Sequence, residues 1–165
     1  MAFNIIALCN YIANITPASM GVIRIFDLDE VPDEIQPRDC PCLWPNVNRG
    51  VWSAQEVQRL SYGPGGTTST QAKKNLIYTV RYRMCYAPVG SGRNELRAHL
   101  RGMATAASAL ITYVIGTDFS TNSTGVVEFH PQGWTQAGTV QDPSGKDFHG
   151  LDFDFYCLEF GEVTA

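Results

Sequence analysis

Between Leu76 and Tyr86 the chain reads LIYTVRYRMCY, and this stretch constrains the fold more than any other. Leu76, Tyr78, Val80, Tyr82, Met84 and Tyr86 fall on one parity; Ile77, Thr79, Arg81, Arg83 and Cys85 fall on the other. A period of two separates these sets only on a β-strand, because successive side chains there point to opposite faces. The segment therefore predicts a strand with one aromatic, buried face and one face carrying two arginines. VWSAQEVQRLSY (51–62) precedes it and has strand character, and GPGGTTSTQAKK joins the two. The pair predicts a long β-hairpin reaching past the domain body. Its tip, with Gly63, Pro64, Gly65, Gly66, Lys73 and Lys74, is the candidate docking element.

Two helices are predicted beside this sheet. Ile5, Leu8, Cys9, Ile12 and Ile15 recur at helical spacing, and Pro17 ends that run. Between Ser91 and Gly116, Leu96, Leu100, Met103, Ala107, Leu110 and Val114 form an apolar stripe, with Gly102, Ala104 and Ala106 keeping the helix slim. GVIRIF (21–26) and GVVEFH (125–130) are short strand candidates, and HGLDFDFYCLEF (149–160) closes the fold as a strand. DLDEVPDEIQPRDCPCLWP (27–45) carries four prolines, so it is expected as an extended arm or edge segment outside the core. PQGWTQAGTVQDPSGKD (131–147) reads as a turn-rich connection. The fold class that follows is α+β, a single domain over residues 1–165. One mostly antiparallel sheet with an extended hairpin packs against two helices.

With 165 residues and 44% hydrophobic content, the chain can bury a substantial core. The net charge of −4 is too small to mark the whole chain as nucleic-acid binding. Charge is uneven along the sequence: −3 over residues 1–50, +6 over 51–110 and −7 over 111–165. Two readings follow, salt bridges inside one fold or opposite-signed surfaces that pack copies head to tail. No run approaches the ~20 apolar residues of a membrane span, and the N-terminus does not read as a secretory signal. Five cysteines, an odd number without regular spacing, suit a reducing compartment. Cys40-Pro-Cys42 lacks the second half-site a zinc knuckle needs.

The closing segment raises the question of chemistry. Asp152 and Asp154 share one face of a strand, with Glu128 and His130 the nearest further candidates for a divalent metal site and a metal-dependent hydrolase. His149 lies three residues before Asp152 and so falls on the opposite face. Leu151, Phe153, Phe155 and Cys157 make the alternate face apolar, and Arg81 and Arg83 repeat the two-residue spacing of the acids. Cross-strand Asp–Arg pairing is therefore the favoured reading. No phosphate loop or nucleophile elbow is present. Arg93, Arg97 and Arg101 line one flank of the second helix, a solvated face or a phosphate-contacting patch for nucleic acid. The expectation is a non-enzyme with no cofactor, no metal and no catalytic residues.

In order, these elements resemble the tail terminator (tail-completion, neck) proteins of long-tailed bacteriophages. The residues that carry the resemblance are VPDEIQPRDCPCLWP, with its D-x-P-x-L-x-P cadence, then the long hairpin, the helix NELRAHLRGMATAASALITYVI and the closing FDFYCLEF strand. The resemblance implies a virion structural protein, a hexameric ring that caps the tail tube and joins it to the head connector or stopper. A head-closure or head–tail adaptor ring is the neighbouring alternative. Implied partners are copies of itself, tail-tube protein and connector, with DNA passing through the lumen without specific binding. Assembly would take place in the host cytoplasm. On this reading Arg81, Arg83, Arg93, Arg97, Arg101, Asp152 and Asp154 are candidates for contacts between subunits or partners.

Overall fold

In a computed structural model, the described residues are 5–59, 71–90, 95–119, 126–134 and 137–164. The chain is α+β: among the described residues, two helices pack against one seven-stranded sheet. Helix α1 spans Ile5–Ala13 and buries Ile5, Leu8, Cys9 and Ile12, the residues its spacing picks out. Strand β1, Arg24–Ile25, is shorter than GVIRIF suggests. Strand β2 is Cys42–Pro45, β3 Trp52–Arg59 and β4 Gln71–Pro88. Helix α2 covers Glu95–Gly116, and β5 (Val126–Trp134), β6 (Gly138–Gln141) and β7 (Asp147–Thr164) follow.

The spine of the sheet is the antiparallel pair β4–β7, registered from Gln71↔Thr164 to Pro88↔Phe148. Strands β2 and β3 lie along one flank of this spine, and β5 and β6 along the other. Strand β1 adds to β2 in parallel, while every other pairing is antiparallel. The predicted hairpin of β3 and β4 is present, with one difference: β7 accompanies β4 along its whole length, so the extension has three strands. Eighteen residues span about 60 Å at roughly 3.3 Å each, whereas a compact domain of this size is about 40 Å across. The spine therefore outruns the body it supports. Gly63, Pro64, Gly65 and Gly66 lie outside the described residues. Lys73 and Lys74 are registered on β4 opposite Glu162 and Gly161.

Both sheet faces carry a buried apolar cluster. Tyr78, Val80, Tyr82 and Met84 of β4 join Leu151, Phe153, Phe155 and Cys157 of β7 in the main core beneath the helices. Met103, Ala107, Leu110 and Val114 of α2 close this core, while Leu96 and Leu100 stand exposed. Small residues let the layers meet. Gly21, at φ +69°, turns the chain against the backbone of Ala106, where an added Cβ would sit 2.8 Å from the Cα. Gly102 leaves room for the Tyr86 hydroxyl.

The proline-rich arm is where the structure departs most from the sequence reading. It is built into the core. Short 3-10 turns at Leu28–Glu30 and Pro37–Asp39 fold it back across the second sheet face, and the Cys40–Pro41 peptide is cis. Phe26, Ile35, Cys42 and Trp44 then pack with Cys85 and Phe148 in a second apolar cluster. Proline is tolerated in β2 because strand donors alternate in direction. Asn46 N–H donates to the Arg81 carbonyl, so residues of that parity face β4, and Pro45 turns its missing donor away from it. The supposed connection after His130 is also strand. Strand β5 continues to Trp134, and β6 pairs with the start of β7 through a turn at Asp142–Gly145.

Candidate functional site

Sequence reading draws attention to the charged residues on the second sheet face, and β4 and β7 bring them together in register. Arg83 lies opposite Asp152, and Arg81 opposite Asp154. The two pairs are not equivalent. Arg83 grips Asp152 with both arms of its guanidinium, Nε to Oδ1 and Nη2 to Oδ2, the latter at 2.8 Å. Its third arm donates to the Gln141 carbonyl at 2.6 Å, and the group lies 5.8 Å from the Trp44 ring. Asp152 also accepts from Asn46 Nδ2 and Arg49 Nη1, both at 3.3 Å. Arg83 and Asp152 are 7% and 6% exposed, so this network is inside the subunit. A planar fork against a carboxylate is the geometry in which a desolvated pair holds together.

The second pair sits at the surface. Arg81 Nε stands 3.7 Å from Asp154 Oδ1, and Asp154 is 41% exposed in its side chain. The same guanidinium donates to the Gly50 carbonyl at 3.4 Å and Ser53 Oγ at 3.2 Å. Further along this face Thr79 donates to Gln132 Oε1 at 2.9 Å, and the His130 ring stacks on Tyr156 with centroids 4.7 Å apart. His130 Nδ1 lies 3.4 Å from Glu128 Oε1.

This placement bears on the metal reading. Asp152 is held by two arginines and an asparagine, and Glu128 and His130 pair with each other one strand away. Among the described residues, no group of three or more His, Cys, Asp or Glu side chains is arranged to hold a metal ion. His149 lies where its parity puts it, on the helix side. It is 4% exposed, with its ring 5.3 Å from His99 and His99 in turn 5.8 Å from Tyr86.

The arginine flank of α2 is exposed at Arg97 and Arg101; Arg93 lies outside the described residues. Two shallow grooves border the helix, of 740 and 570 Å³, and share Ala104, Ser108 and Thr112. Arg101 and Tyr113 are the titratable side chains lining them, and neither groove is lined by a carboxylate, histidine or thiol. The segment charges also change meaning in three dimensions. Of the acids after residue 110, Asp142, Asp152 and Glu159 are buried, with Tyr78 Oη donating to Glu159 at 3.4 Å. The acidic C-terminal segment thus spends part of its charge inside the fold.

Asp142 escaped the sequence reading. Burial on its own would raise its carboxyl. Hydrogen bonds from the Ser144 hydroxyl and from the amides of Ile35, Lys146 and Ser144 outweigh this and hold it below the usual aspartate range. Asp-Pro-Ser-Gly marks a turn in the sequence, but nothing there shows that one oxygen reaches Ile35 at 2.9 Å. Asn46 and Arg49 were missed because no local pattern ties them to a residue about a hundred positions away. Among the described residues, no helix is long and apolar enough to cross a membrane. Compared with known proteins, the chain matches no family model and no curated sequence.

Proposed function

We propose that this protein is a virion structural subunit, a tail-terminator ring protein that caps a phage tail tube and joins it to the head connector. The observation that carries the reading is the β3–β4–β7 extension at the end of a spine about 60 Å long, with β3 bonded to β4 alone among the described residues. An outer strand edge of this kind presents main-chain donors and acceptors, and its natural use is addition to another chain. The chemistry of the second face points the same way, because its buried acid is neutralised by arginine and its exposed one is paired. Head-to-tail packing of copies closes a ring through two different patches. The exposed Arg97 and Arg101 and the half-exposed Asp154 are charged residues available for such contacts.

Native mass spectrometry and electron microscopy of the purified protein, alone and with isolated tail tubes, test this reading. The expected result is a closed ring of one subunit size, formed at high concentration or on the tube end, and the same chain in purified virions. A protein that stays monomeric in both conditions and is absent from virions overturns it. Rings retained by connector and not by tail tube would move the subunit to head closure.

A further inference from the structure

Three of the five cysteines meet at one end of the second core. Cys42 and Cys85 are cross-strand partners on β2 and β4, and Cys40, two residues before Cys42, packs against the same apolar cluster. All are free thiols. Their exposure differs: Cys42 and Cys85 are fully buried, whereas Cys40 is partly exposed and its Sγ reaches the Gln36 carbonyl at 3.9 Å. An oxidant in solution therefore meets Cys40 first, with Cys42 directly behind it.

We propose that Cys40 and Cys42 form an oxidant-responsive pair in which a hydroperoxide oxidises Cys40 and Cys42 resolves the product as an intrachain disulfide. In the first step the Cys40 sulfur attacks the terminal peroxide oxygen. The O–O bond breaks, and the alcohol or water leaves with a proton, giving a sulfenic acid. In the second step the Cys42 sulfur attacks the Cys40 sulfur. The S–O bond breaks, and hydroxide leaves with the Cys42 proton as water. Two thiols supply the two electrons that reduce one peroxide, along the ordinary oxidation ladder of cysteine.

The surroundings favour this order. The Cys42 thiol beside it holds the Cys40 thiol below its ordinary range, against burial and the neighbouring Asp39. Cys42 is pushed well up by the Cys40 and Cys85 thiols beside it and by burial. The thiolate is the nucleophile, which makes Cys40 the attacking sulfur. Cys85 is the less suitable partner. The Trp44 indole N–H donates to its Sγ at 3.4 Å, and Cys42↔Cys85 has the parity of the hydrogen-bonded, wider cross-strand pairs.

Hydrogen peroxide treatment of the folded protein, followed by alkylation and tryptic mapping, tests the proposal. Cys40 and Cys42 share the peptide Asp39–Arg49, whereas Cys85 lies in Met84–Arg93. The expected result is loss of two hydrogens within Asp39–Arg49, reversed by dithiothreitol, with Cys9, Cys85 and Cys157 still alkylated. A C42A variant should trap a dimedone adduct on Cys40, and C40S should leave Cys42 unoxidised. A cross-link between the two peptides overturns the proposal. So does sulfinic acid on Cys40 beside a free Cys42, an unmodified Asp39–Arg49 peptide, or oxidation of Cys42 in C40S. If C42A fails to fold, the wild-type map still decides.

Discussion

Arg81 and Arg83 carry the same charge, sit two residues apart on one strand and face two aspartates with the same spacing, yet their energetic weights differ. Arg83 and Asp152 are desolvated and bonded through a bidentate fork, so removing Arg83 leaves a buried carboxylate with only Asn46 and the exposed Arg49 against it. That loss typically destabilises by about 3–5 kcal/mol. Arg81 and Asp154 stay partly solvated at 3.7 Å, where a pair contributes about 0–1 kcal/mol. R83L is therefore expected to lower the midpoint of urea unfolding severely and R81L only slightly. The double variant R83L/D152L should recover much of the R83L loss, as a double-mutant cycle would show. Equal losses for R81L and R83L would contradict this division.

Asp142 works at the scale of elements, because one side chain joins the β6–β7 turn to the arm. Its Oδ1 accepts from Ser144 and the Lys146 amide in the β6–β7 turn, and its Oδ2 accepts from Ile35 in the arm. The arm is thereby tied to the turn and held over Trp44 and Phe148. The carboxylate is held below its ordinary range in the folded state. A depressed folded value means the stabilisation is present above the unfolded value of about 3.9. It is lost as pH falls through the folded one. D142A should therefore be less stable than the wild type by about 2–3 kcal/mol at neutral pH, the weight of hydrogen bonds to a charged group. The gap should narrow below the ordinary aspartate range. Unfolding midpoints of both proteins across that range check it; a constant gap would remove the carboxylate's role.

At the scale of the whole molecule, the packed body and the extension of the spine are separable. Among the β4 residues 76–88, the buried ones run from Tyr78 to Cys85, while the pairing with β7 continues back to Gln71↔Thr164. Removing residues 161–165 takes away the β7 partners of Gln71–Lys74 and leaves the described core intact. The truncated protein is expected to keep a melting temperature within a few degrees of the full chain. Under the proposed function it should no longer assemble into rings. Calorimetry and native mass spectrometry read the two effects separately. Collapse of the melting transition would show that the extension belongs to the core.

The sequence by itself determined the local periodicities: the alternation that makes β4 a two-faced strand, the spacing of α1 and α2, and the parity that separates His149 from Asp152 and Asp154. These were legible because a side chain's direction along a regular element depends only on its position in the repeat. The tertiary structure alone decided what each face meets. It turned the proline-rich arm inward over Trp44, made strands of the segments around Trp134 and Val140, and buried Asp152 while leaving Asp154 near water. Pairing partners such as Asn46, Arg49 and Asp142 come from segments about a hundred residues apart. No local pattern encodes them, because burial and hydrogen bonding depend on which surfaces the folded chain closes against one another.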